Sequence, residues 1–166
     1  MYRCLIANRG EIAVRIIRAC RELNIETVAI YAKGDENSLH VSLADQAICI
    51  GEANPLDSYL NIDRIISAAK VTESNVIHPG YGFLSESTNF AKAVEDNHIH
   101  FIGPSKTTME MMGDKITARQ TVKQAGVPVI PGSNDAVQSV DEIKLLSKEI
   151  GFPVVLKAAS GGGGKG

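Results

Sequence analysis

The residues best suited to chemistry close the chain, where Gly161-Gly-Gly-Gly-Lys-Gly166 follows Ala158-Ala-Ser. Consecutive glycines free backbone N–H groups to wrap an anion, and a lysine adds a point charge, so the chemistry is phosphate binding. Gly161, Gly163 and Gly166 satisfy G-x-G-x-x-G, but a dinucleotide fold places that fingerprint after its first strand, with an acidic residue ~20 positions later. Here the first strand-to-helix turn reads Asn8-Arg9-Gly10-Glu11, with one glycine. A Walker loop fails as well, because Gly166 follows Lys165 where a Mg-binding hydroxyl should stand. A third reading is a flap between two antiparallel strands whose glycine amides close over phosphates, with Val154-Val-Leu-Lys-Ala-Ala on its near side.

Two lysines outside the glycine run join this reading. Lys157 lies in an otherwise apolar run, where burial without an anionic partner is costly; its long stem could equally carry it to solvent. Lys115 follows Gly113-Asp114 at a helix start, where a cation opposes the helix dipole, and an ordinary surface lysine would read the same way. His78 precedes Pro79 and reads as a hydrogen-bonded core histidine, not a catalytic base.

These residues need a scaffold, and the chain alternates short Val- and Ile-rich runs with segments of helical period. Strands are expected at 4–8, 27–32, 47–50, 75–78 and 100–102, apolar at nearly every position as in a parallel sheet covered on both faces. Helices are expected at 11–23, with Ile12, Ile16, Ala19 and Leu23 on its inner face, at 59–69 and at 90–94. Five strands and three crossover helices predict an α/β doubly wound, Rossmann-like parallel sheet. The texture changes after Gly103-Pro104, with helices at 105–112, from 115 to about 125, and 140–150, and strand-like runs at 128–130 and 154–158. A domain boundary is placed between 112 and 113, so the chain would hold one domain at 1–112 and the opening elements of another at 113–166, cut before completion.

Composition narrows the function. The 166 residues carry a net charge of -2 with interspersed signs, which excludes a basic stripe for nucleic acid. No apolar run approaches the ~20 residues of a membrane span, and no export signal is expected, so the chain reads as cytoplasmic. Cys4, Cys20 and Cys49 are odd in number and lack a CxxC partner, which predicts reduced thiols and no zinc site.

With these pieces placed, the sequence resembles biotin carboxylase, the ATP-dependent half of biotin-dependent carboxylases. The resemblance rests on Ile6-Ala-Asn-Arg-Gly-Glu-Ile-Ala13, Ser58-Tyr-Leu-Asn-Ile62, His78-Pro-Gly-Tyr-Gly-Phe-Leu-Ser-Glu86, Phe101-Ile-Gly-Pro104, Met112-Gly-Asp-Lys115 and the terminal glycine loop. It implies a pre-ATP-grasp domain followed by the start of an ATP-grasp domain, with Lys115, Lys157, Gly163 and Gly164 at positions that bind ATP phosphates. The implied reaction uses MgATP to phosphorylate bicarbonate and transfers CO2 from carboxyphosphate to biotin on a carrier protein.

By the same resemblance Tyr81 and Gly82 border the biotin pocket, although a tight turn needing Gly80 and Gly82 would explain them too. Arg15, Arg18 and Glu22 stand where the family makes a homodimer contact, or form a solvated charged face. Metal ligands, general base and bicarbonate site are implied to lie beyond Gly166, so no catalytic or metal residue is assigned and the 166 residues alone are expected to be inactive. The acetyl-CoA carboxylase component is the first expectation, since the motifs begin at the initiating methionine, with pyruvate carboxylase as the alternative. Both imply a biotin carboxyl carrier protein and a carboxyltransferase as partners. The reading from another class is a noncatalytic module that dimerises or binds a carrier.

Overall fold

The computed structural model describes residues 2–133 and 135–157. The glycine loop, with Gly163 and Gly164, lies outside the described residues. The chain divides into two compact units, Met1–Lys106 and Thr107–Gly166.

The first unit holds a five-stranded parallel sheet. Its strands are β1 (Arg3–Ile6), β2 (Glu26–Ala32), β3 (Gln46–Gly51), β4 (Val76–His78) and β5 (His100–Phe101), ordered β3-β2-β1-β4-β5. Four helices connect them: α1 (Gly10–Glu22), α2 (Leu39–Leu43), α3 (Ile62–Val71) and α4 (Thr88–Asp96). The order reverses between β1 and β4. Right-handed crossovers then send the first two helices to one face and the next two to the other, as a doubly wound sheet requires.

The central strand β1 is deeply buried. Cys4, Leu5 and Ile6 are fully enclosed, and Ala7 and Asn8 nearly so. Cys4 and Ile6 pack with Ala13, Ile16, Ile17 and Cys20 of α1. The buried stripe of α1 is therefore offset from the expected one: Ile16 belongs to it, but Ala19 and Leu23 face solvent. Ala13, Ile16, Ile17 and Cys20 share the same three-and-four spacing, so periodicity alone left the face uncertain by one residue. Leu23 sits at the helix C-cap, past the last turn that could pack on the sheet.

Further corrections concern strand β3 and the helices between strands. Strand β3 is an edge strand, and Gln46, Ala47 and Cys49 are exposed, so its apolar sequence does not mean burial on both faces. The expected helix at 59–69 begins only at Ile62, because the Asn61 side chain accepts the Arg64 N–H at 3.1 Å and caps it there. Tyr59, excluded from the helix, is fully buried in the preceding turn. Ser87 caps α4 by accepting the Phe90 N–H at 3.2 Å, which starts that helix earlier than its apolar pattern. The short helix α2 was not foreseen; it makes the fourth crossover, and within it only His40 is buried.

The second unit contributes α5 (Lys106–Gly113, begun on the last residue of the first unit), α6 (Lys115–Gln124) and α7 (Val140–Ile150). Asp114 caps α6 by accepting the Thr117 N–H at 2.7 Å, and Ser139 caps α7 by accepting that of Glu142 at 3.2 Å. The runs at 128–130 and 154–157 are not strands. Apolar residues alone do not make a strand: the backbone must find a ladder partner, and among the described residues no strand pairs with these runs.

Candidate functional site

Open α/β sheets bind ligands beyond the C-terminal strand ends where strand order reverses. Here that point lies between β1 and β4, and a cavity of about 540 Å³ opens there, lined by Asn8, Arg9, Asp35, His40, Tyr81 and Phe83 among others. The pairing with β4 continues past the end of β1, with the Ala7 N–H donating to the His78 carbonyl at 2.9 Å. This delivers Asn8 beside the turn at 79–83.

Asn8 is buried, and its carboxamide is fully used. Nδ2 donates to the carbonyls of Pro79 at 2.8 Å and Tyr81 at 2.9 Å, while Oδ1 accepts the Arg9 N–H at 2.9 Å. His78 Nδ1 accepts the Gly80 N–H at 3.0 Å, and burial holds the imidazole below its ordinary pKa. That is the hydrogen-bonded histidine expected from the sequence.

Arg9 organises the other side of the cavity. Its guanidinium lies 5.2 Å from the Tyr59 ring centroid and 5.6 Å from that of Phe83, and the two rings stack at 5.2 Å. It also pairs with Asp35 at 3.4 Å. The Tyr59 hydroxyl donates to Asp35 at 2.7 Å and accepts the Ala32 N–H at 3.0 Å. Burial, then the bond to Asp35, raises the phenol pKa well above its usual value, so Tyr59 is a fixed hydrogen-bond bridge and not an acid. His40 Nε2 lies 3.2 Å from the Ile30 carbonyl, and desolvation lowers its pKa.

Tyr81 and Gly82 are exposed on the turn itself, at the cavity wall. Arg15, Arg18 and Glu22 are exposed on α1. Lys115 is the exposed first residue of α6. Lys157 is also exposed, as are Val155 and Leu156, so the cost of burying a lysine in an apolar strand does not apply. Asn8, Arg9, Asp35, Tyr59 and Phe83 were not singled out from sequence; the signal was the end of the first strand at Asn8, which becomes informative only once β4 is known to lie beside it. Cys4 and Cys20 are buried free thiols and Cys49 an exposed one. Among the described residues no group of three or more His, Cys, Asp or Glu side chains could hold a metal ion.

Residues 1–109 match the family "Biotin carboxylase, N-terminal domain". The chain belongs to the biotin carboxylase family. Residues 114–166 match "Carbamoyl-phosphate synthase L chain, ATP binding domain". Among relatives, biotin carboxylase 1 of Bacillus subtilis is 56% identical over 99% of this chain and 36% of its own length. The 2-oxoglutarate carboxylase small subunit of Hydrogenobacter thermophilus is 52% identical over 99% of this chain and 34% of its own. The chain thus spans about a third of the length of these relatives.

Solved structures agree. The Campylobacter jejuni biotin carboxylase β-γ-ATP complex superposes with a TM-score of 0.91 at 50% identity, over 98% of this chain and 36% of that one. The biotin carboxylase domain dimer of Hydrogenobacter thermophilus 2-oxoglutarate carboxylase, in complex with MgADP, ADP and bicarbonate, gives 0.88 at 52% identity, over 98% and 36%. Among the described residues no helix is long and apolar enough to cross a membrane.

Proposed function

We propose that this chain is the N-terminal part of a biotin carboxylase that uses MgATP and bicarbonate to carboxylate biotin on a carrier protein. The observation that carries the reading is the succession of two family matches along one chain, biotin carboxylase N-terminal domain and then an ATP-binding domain. A carbamoyl-phosphate enzyme would account for the second match but not the first.

Within this reading the domain boundary falls at 112/113, in the last turn of α5, just before the Asp114 cap of α6. Lys115 and Lys157 are charge contacts to ATP phosphates, and Gly163 and Gly164 supply loop amides. Positive charges and fixed N–H groups suit a phosphoryl transfer because they stabilise charge developing on the transferred group. Tyr81 and Gly82 border the biotin pocket, and Arg15, Arg18 and Glu22 lie on a homodimer surface. The partners are a biotin carboxyl carrier protein or domain and a carboxyltransferase, and the compartment is the cytoplasm. Acetyl-CoA carboxylase is the favoured context and pyruvate carboxylase the alternative.

The test is biotin-dependent ATP hydrolysis. A full-length carboxylase carrying these residues turns over, and Lys115→Ala and Lys157→Ala each raise KM for ATP with the fold intact; the 166 residues alone show no turnover. Unchanged ATP affinity in both variants removes these lysines from the site. Turnover by the 166 residues alone refutes the expectation that they are incomplete.

A further inference from the structure

The turn at 79–83 is conformationally demanding. Gly80, Gly82 and Phe83 all adopt positive φ, at 66°, 69° and 39°. For Phe83 that region is strained, and strain persists only where the surroundings over-determine the backbone.

Two clamps supply that determination. At residues 79–81, the buried Asn8 carboxamide donates to the carbonyls on both sides of Gly80, at 2.8 and 2.9 Å. The packing there is so close that a Cβ on Gly80 would stand 2.7 Å from Asn8 Nδ2. At residue 83, the ring is stacked on Tyr59 and covered by the Arg9 guanidinium, itself paired with Asp35. Between the clamps stand Tyr81 and Gly82, exposed.

We propose that Asn8 is a positioning residue for biotin binding: by fixing the Pro79 and Tyr81 carbonyls it presents Tyr81 and Gly82 in one conformation. This rests on the reading that Tyr81 and Gly82 border the biotin pocket. Only a carboxamide fits the role, because two N–H donors must diverge from one atom while the oxygen takes the Arg9 N–H. Aspartate is the same size but has no donor when ionised, and it would face two carbonyl oxygens. Alanine would leave both carbonyls without their buried partner.

The test uses a full-length carboxylase carrying these residues, with free biotin as the varied substrate. Asn8→Asp and Asn8→Ala are compared with Tyr81→Ala and with Thr27→Val, a destabilised control remote from the turn. Loss of the two bonds is expected to raise KM for biotin about tenfold or more in both Asn8 variants. KM for ATP stays within about twofold, and Thr27→Val leaves KM for biotin unchanged. Hydrogen exchange at 79–85 accelerates in the Asn8 variants. A raised KM for biotin in Tyr81→Ala together with normal values in both Asn8 variants overturns the positioning role while sparing the pocket. Normal values in all three turn variants remove the pocket reading, and the positioning role with it. A rise in the Thr27→Val control equal to that in the Asn8 variants reduces the effect to general destabilisation and overturns the proposal.

Discussion

Tyr59 and Asp35 meet through a 2.7 Å hydrogen bond that joins the turn before α3 to the loop after β2. The same hydroxyl accepts the Ala32 N–H, near the β2–β3 register shift between Tyr31 and Ala32. One phenol oxygen therefore completes the backbone hydrogen bonding of β2 and restrains the carboxylate that pairs with Arg9.

Replacing that phenol by Tyr59→Phe keeps the ring stacking but leaves the buried Ala32 N–H unpartnered. The expected cost is about 1–3 kcal/mol, the usual penalty for an orphaned buried donor. Urea unfolding of this chain measures it; a midpoint equal to that of the parent would show that the oxygen contributes nothing.

The two glycines of the 79–83 turn separate strain from collision. Gly82→Ala places a methyl in open space at φ 69°, so only backbone strain of about 1 kcal/mol is expected. Gly80→Ala meets the same strain and also contacts of 2.7 Å to Asn8 and Ile12, so it should cost about 2 kcal/mol or more. Equal losses in parallel denaturation curves would contradict the packing described for Asn8.

Thr27 and Asp45 set a dependence on acid. The Thr27 hydroxyl, at 2.6 Å, and then the Thr27 N–H hold the Asp45 carboxyl below its usual pKa. A carboxyl with a depressed folded pKa contributes stability above its unfolded value, near 3.8, and that contribution disappears as pH falls through the folded one. Thr27→Val removes the hydroxyl donor, so it should cost about 1 kcal/mol at pH 6 and progressively less toward pH 3. Melting of parent and variant across that range is the measurement, and a constant difference would exclude the linkage.

Histidine gives a second, higher window. Burial lowers the folded pKa of both His40 and His78 from 6.5. The unfolded chain takes up these protons first, so the contribution is complete above 6.5 and declines as pH falls below it, before carboxylates titrate. Desolvation is the largest effect on His40; the bond to the Ile30 carbonyl and then Asp35 favour a charge there, and Arg9 opposes one. The urea midpoint should be lower at pH 5.5 than at pH 7.5 with an unchanged slope, and His78→Asn should reduce the difference.

Much of this architecture was legible because apolar runs and helical stripes are local signals. All five strands of the sheet overlap the short apolar runs of the sequence, and the Ser87 and Asp114 caps belong to residue types that favour those positions. The site was less legible because its parts are distant in sequence. Arg9, Asp35, Tyr59 and Phe83 come from four separate loops and meet only through the strand order. The offset face of α1 and the missed helix α2 have simpler causes. In α1 two stripes share one spacing, and α2, Leu39–Leu43, is too short to show a period. The apolar runs at 128–130 and 154–157 resemble those of the sheet, but sequence carries no mark of whether a backbone finds its partner.

The central place of β1 has a consequence for synthesis on the ribosome. Its first neighbour, β2, follows closely, but its second, β4, pairs Cys4 with Val76. At typical translation rates of ~5–20 residues per second, β1 waits about 3–15 seconds for the strand that completes its enclosure. During that interval one edge of β1 is open to pairing with another copy. A segment fully enclosed in the finished fold is thus half-open while it is being made.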